Sequence, residues 1–339
     1  MQRREARRAQ GARNRRFQED AILARRGPPP ARGRRRRQKL SSRVTLAGNL
    51  DLVGNSTESR QQILDLIREV HRCGSGDVRG SIFFDLAGIR SICPLSILYL
   101  LAWLETAQRS LGTRMSGTYP LNEEVSQLFS DLGFWRYIRV QSNRPRREFK
   151  HAAIRTGETA EGWTEIRNFL VTNAKPPFSL EERDQIYFAV GELVENVLQH
   201  AFPEHPPRWY AVGVKHPSGP AVAAIVDLGV GIPSSVKRRR FPLGAIENAM
   251  RTDSEWLGEA TTGRTRTGEE HRGNGLSKLR AFASQGASRE LAILSGTGLL
   301  SVSGAEVRRV DYAEPLIGTL IAFTLHPAPR RPSGVEDDT

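Results

Sequence analysis

Cysteine is nearly absent from this chain, with only Cys73 and Cys93 among 339 residues and no CxxC pair. That scarcity excludes a disulfide framework and a cysteine-built metal site, and it makes a reducing compartment, the cytoplasm, the expected location. Long hydrophobic runs are missing too. No stretch approaches the ~18 uninterrupted apolar residues of a membrane helix, so no membrane association is expected. The GxxxxGK[ST] signature does not occur either, which excludes a P-loop nucleotide site.

Acidic residues are scarce at one end only. Residues 1–40 hold 15 Lys and Arg against three acidic residues, whereas the other 299 hold 35 basic and 34 acidic ones. The net charge of +13 therefore belongs to the arm rather than to the folded part. Two readings of that arm stay open: a solvated, disordered tail, or a phosphate-binding segment that engages nucleic acid. A transit peptide fits poorly, because Glu5, Glu19 and Asp20 interrupt the basic run.

At roughly 150 residues per domain, the length points to about two domains. After an Arg-rich arm at 1–41, strand-like alternation around Val44–Leu52, helical spacing of Ile63, Leu64, Ile67 and Val70, and an apolar run Ile82–Leu86 give a β-α-β-α-β-α order over 42–140. Leu95–Leu111 reads as its mostly apolar helix. A basic, aperiodic stretch at 141–157 reads as a linker. The second domain covers 158–327, with a disordered tail at 328–339. The fold class expected is α/β, in its α+β form.

The chemistry lies in the second domain. Ser179-Leu-Glu-Glu182 is a capping box that starts a long helix. On that helix Glu192 and Asn196 are four residues apart and share a face, with His200 one turn on. Such a pair offers oxygen ligands to Mg²⁺ and, from the glutamate, a base for water. Taken singly, it is also what an ordinary amphipathic helix carries.

Further on, Asp227-Leu-Gly229-Val-Gly231-Ile-Pro233 ends a strand. The carboxylate can accept a hydrogen bond from an exocyclic amine, and the glycines let backbone approach a flat ring. A Rossmann turn wants a third glycine where Ser234 stands, and a βαβ unit in which a helix opens at once; that reading is rejected. Arg272-Gly273-Asn274-Gly275-Leu276 then opens a helix whose free amides suit a triphosphate. Residues 234–271, polar and rich in arginine and glycine, read as a lid over the phosphates.

The order of these pieces, closed by Gly318-Thr319, resembles the GHKL superfamily of gyrase, heat-shock protein 90, histidine kinases and the bacterial anti-sigma-factor serine kinases. The resemblance implies a Bergerat-type two-layer α/β sandwich that binds ATP and Mg²⁺. It implies that Asn196 chelates the metal, with Glu192 beside it as base or positioning group. It further implies that Asp227, Gly229, Gly231 and Thr319 form the adenine pocket, and that Arg272, Gly273, Gly275 and Leu276 meet the phosphates. His200 followed by Ala201 looks most like the serine-kinase branch, with the ring itself read as a structural hydrogen-bonding group.

Phe84-Asp85-Leu86-Ala87-Gly88-Ile89 with the helix after it resembles the STAS fold of anti-sigma-factor antagonists. Those domains carry a phosphorylated serine at the helix start. Here the turn is Cys93-Pro94-Leu95-Ser96, flanked by Ser91, and proline takes the acceptor position. The expected function is a nucleotide-dependent switch or serine kinase acting on a STAS-like or sigma-factor-like partner. The alternatives are an ATP-hydrolysing clamp that closes as a homodimer, and a nucleic-acid-associated regulator using residues 1–40.

Overall fold

The computed structural model describes residues 41–54, 57–74, 81–112, 114–140, 152–157, 163–173, 177–202, 208–215, 220–240, 251–262, 275–286 and 288–326. The arm at 1–40, the tail at 328–339 and most of the expected linker lie outside these. The fold is mixed α/β, built on one parallel and one antiparallel sheet.

The amino-terminal unit runs β1 (Ser41–Leu50), α1 (Thr57–Gly74), β2 (Ser81–Ile92), α2 (Pro94–Leu111), β3 (Arg114–Gly117), α3 (Glu123–Asp131) and β4 (Arg139–Val140). Its four strands are parallel, in the order β1-β2-β3-β4. Along β2, Ile82, Phe84 and Leu86 are buried while Ser81, Phe83 and Asp85 are half-buried, a period of two that marks one covered face. That face meets Ile63, Ile67 and Val70 of α1 and the apolar side chains of α2.

Local chemistry sets both ends of α2. Cys93 caps its start, the thiol accepting from the Ser96 amide, and Pro94 fits the first turn, where an amide has no helical partner. Gly112, at φ 62°, closes the other end in the left-handed conformation. Between them every residue from Ile97 to Leu104 is buried. A helix apolar all round must be covered all round. Packing supplies this: α2 touches α1 on one side and the strands of the second sheet on the other.

That second sheet has the order β5-β6-β7-β9-β8, all antiparallel, from β5 (Ala152–Gly157), β6 (Trp209–Lys215), β7 (Ala221–Asp227), β8 (Arg289–Ser303) and β9 (Glu306–Leu325). Its helices are α4 (Trp163–Asn173), α5 (Leu180–Asn196), α6 (Ile232–Arg240), α7 (Asp253–Ala260) and α8 (Gly275–Ser284). One sheet face, with Trp209, Ile225, Ile293 and Phe323, packs on apolar residues of α4, α5 and α8. The opposite face, with Tyr210, Val212, Val226, Leu294 and Leu320, joins the core of the amino-terminal unit. At roughly 1.5–3 kcal/mol for each large apolar side chain removed from water, this second face is a substantial part of the fold's stability. The sheet thus lies between two helical layers, where two layers in separate domains were expected.

Two further differences have local causes. The expected linker ends in a strand, since Ala152–Gly157 pairs antiparallel with β6 as an edge strand. The segment read as a polar lid contains α6 and α7, the latter started by a capping box of Thr252 and Glu255 and carrying the fully buried Trp256. Within the sheet, β8 and β9 form one long hairpin, of which only Thr319–Leu325 also pairs with β7.

Candidate functional site

The capping box expected at Ser179 is present: its hydroxyl accepts from the Glu182 amide at 3.2 Å and its amide donates to the Glu182 carboxylate at 2.9 Å. From this start α5 runs to Asn196, with Ile186, Ala189, Val190, Leu193 and Val194 buried. Glu192 and Asn196 share a half-buried face. Burial raises the Glu192 carboxyl above its ordinary value, Lys278 on α8 opposes this, and Glu195 adds to it. Directly after Asn196 the helix widens into a π turn, Val197–Ala201. Single π turns inside helices recur at functional sites. The side chain of His200 lies outside the described residues.

The π turn delivers the Ala201 carbonyl to the Asp227–Gly231 turn. It accepts from the Val230 amide at 2.9 Å, and a β-carbon at Gly229 would lie 2.1 Å from it. Asp227 is buried at the end of β7, opposite Thr319 of β9, and one of its oxygens accepts from the Gly229 amide at 2.8 Å. A helix, α6, does open straight after Gly231. The Rossmann reading still fails, for a different reason: β7 is antiparallel to both neighbours.

Ser295 ties the turn to β8 and β9. Fully buried, its hydroxyl accepts from the Ile232 amide at 3.1 Å, donates to the Gly318 carbonyl at 2.8 Å and lies 3.2 Å from the Thr319 hydroxyl. Gly231 and Gly318 both have positive φ, 80° and 81°. A β-carbon on Gly318 would come within 1.9 Å of the Asp227 carbonyl oxygen. Gly229, Gly231 and Gly318 therefore let chain pass close to chain.

Gly275 behaves in the same way at the start of α8, where a β-carbon would strike Glu192. Leu276 beside it is buried. Arg272 and Gly273 lie outside the described residues. Contacts thus form two groups: Gly275 at the start of α8 against Glu192 of α5, and Asp227, Gly229, Gly231, Ser295 and Thr319 around the end of β7, with α5 running from the first group to the second through its π turn. Among the described residues no group of three or more His, Cys, Asp or Glu side chains converges.

Sequence reasoning missed Ser295, a lone serine in an apolar strand with no local signal. It also missed α7, although Thr252-Asp-Ser-Glu255 carries a legible capping pattern. A groove of about 760 Å³ between α5 and α8, lined by Glu181, Asp184, Phe188, Lys278 and Phe282 among others, holds none of the expected site residues.

No protein-family model matches this sequence, and no curated protein matches it either. Among the described residues no helix is long and apolar enough to cross a membrane.

Proposed function

We propose that the carboxy-terminal part binds Mg-ATP as a GHKL-type domain and works as a nucleotide-dependent switch or serine kinase of the anti-sigma-factor kind. The observation that carries this reading is the junction at the end of β7. There a buried carboxylate, Asp227, stands opposite the Thr319 hydroxyl, beside a glycine turn anchored to the end of the helix that bears Glu192 and Asn196.

The donor set suits the ligand. Mg²⁺ commonly takes one or two protein oxygens and completes its shell with water and phosphate, which accords with a single carboxylate and a single carboxamide rather than a caged cluster. When bound, Mg-ATP would supply a transferable phosphoryl group. Asp227 and Thr319 would receive the base, Asn196 and Glu192 the metal, and the Glu192 carboxylate would serve as the proton acceptor beside it.

The two serines flanking the turn of the chain's own STAS-like unit differ in their access to a phosphoryl donor. Ser96 is fully buried and its hydroxyl accepts from the Leu52 amide at 3.0 Å, so phosphoryl transfer cannot reach it in the folded chain. Ser91 is exposed, with its hydroxyl donating to Asn49 at 2.9 Å.

Calorimetry of the full chain with Mg-ATP tests the reading. Saturable binding is expected, weakened at least about tenfold by Asp227→Asn and by Asn196→Ala, in line with a lost charged or metal-linked hydrogen bond. No saturable heat from the wild type would end it. With binding in hand, γ-labelled ATP incubated with STAS-domain proteins would reveal whether label goes to protein or to free phosphate.

A further inference from the structure

The strand that supplies Thr319 is held in part by the amino-terminal unit. Along the β8–β9 ladder Ser295 faces Thr319 and Gly296 faces Leu316, so no residue of β8 stands opposite Ile317 or Gly318. The β7 pairing also stops at Thr319. The two intervening residues form a buried bulge whose backbone groups need partners from elsewhere. Tyr99 of α2, itself buried, provides them: its hydroxyl accepts from the Ile317 amide and donates to the Ile317 carbonyl, both at 3.1 Å. On the other side Ser295 holds the Gly318 carbonyl.

The grip continues outward along β9. Arg60 of α1, almost fully buried, donates to the Glu314 carbonyl at 3.1 Å and to the Leu52 carbonyl at 3.2 Å, and its guanidinium lies 4.0 Å from the centre of the Tyr312 ring. Arg68 pairs with the Glu314 carboxylate. From Tyr312 to Ile317, β9 thus leans on the amino-terminal unit just before it enters the candidate site.

We propose that Tyr99 is a positioning residue for that site, through which the amino-terminal unit sets the shape of the nucleotide pocket. The route is short and physical: Tyr99 to the Ile317 backbone, then Gly318, then Ser295, then the Ile232 amide at the end of the Asp227–Gly231 turn. Without the hydroxyl, two buried backbone groups lose their partner, and the bulge must open toward water or re-register against β8. Either response moves Thr319 and loosens Gly231. A partner that displaces α2 would act on the pocket by the same route. The ligand's identity rests on the nucleotide reading above; the coupling does not.

The test uses Tyr99→Phe in the full chain, with amide hydrogen exchange followed by mass spectrometry at residues 316–320 and 228–233. Exchange is expected to rise about tenfold or more in both segments, the scale of one lost buried hydrogen bond. The control is Arg68→Gln, which cuts an ion pair in the same contact and leaves the Ile317 backbone held; it should keep the wild-type rate at 228–233. If Tyr99→Phe does not fold, native-state exchange of the wild type in sub-denaturing urea takes its place: the coupling requires 316–320 and 228–233 to open together with one urea dependence, and separate opening overturns it. A change confined to 316–318, or equal loosening of 228–233 by Arg68→Gln, overturns the proposal. In parallel, the Mg-ATP Kd should rise about tenfold in Tyr99→Phe and stay unchanged in Arg68→Gln. A wild type that binds no Mg-ATP would remove the nucleotide reading while the exchange comparison still decides the coupling.

Discussion

Glu192 and Gly275 meet where α5 and α8 cross, so closely that a β-carbon on Gly275 would lie 2.1 Å from that of Glu192. Substituting Gly275→Ala is therefore expected to push the start of α8 away from the face of α5 that carries Glu192. Overpacking of this kind costs about 1–3 kcal/mol. Chemical denaturation should report that loss, and Mg-ATP affinity should fall with it. An alanine variant with wild-type stability and affinity would disprove the contact.

Glu192 itself carries a pH dependence. Its carboxyl is raised by burial and by Glu195, against the pull of Lys278. The folded chain thus takes up this proton more readily than the unfolded one, so the residue weakens the fold as pH rises through the raised value. Glu192→Gln is expected to have a Tm at or above wild type at neutral pH and to lose turnover of ATP. The wild-type rate should fall on acidification along a limb above the ordinary glutamate value of about 4.3, and the variant should lack that limb. Stopped-time phosphate assays across pH, with melting curves, measure both.

Ser295→Ala removes the hydroxyl shared by the Ile232 amide and the Gly318 carbonyl. Leaving a buried polar group unsatisfied costs about 1–3 kcal/mol. We expect a loss in that range by urea denaturation. Ser295→Thr, which restores the oxygen, should recover part of it.

Cys93 offers a chemical check on the amino-terminal unit. Although part of the residue reaches the surface, its thiol is enclosed, and that burial pushes it up to about 12, with Asp51 adding to the rise. The thiolate is the reacting form, so Cys93 should resist iodoacetamide at pH 8 in the native protein and react once urea unfolds it. Peptide mapping of the alkylated chain distinguishes the two.

What could be read from the sequence was what is written locally. The capping box at Ser179, the apolar stripe of α5, the strand ending at Asp227 and the apolar character of Leu95–Leu111 all depend on neighbours within a few positions, and each has its counterpart in the fold. Ser295 acquires its role from Ile232 and Gly318, residues far from it in the chain, and no pattern around it distinguishes it from a serine packed in any strand. The same holds for Tyr99, whose two partners lie 218 positions away. Gly229, Gly231, Gly275 and Gly318 approach Ala201, Ser295, Glu192 and Asp227, which only the folded chain brings near.

The helix α2 closes one face of the antiparallel sheet as well as the core of its own unit. Cutting the chain between residues 141 and 157, where the sequence invites a division into domains, would therefore uncover Tyr210, Val212, Val226, Leu294 and Leu320 on one fragment and the outer side of α2 on the other. Exposed apolar surfaces of that kind drive association. The two pieces, made separately, should clump or seek each other out, and mixing them should rescue solubility. The amino-terminal third is as much a wall of the carboxy-terminal part as a module of its own.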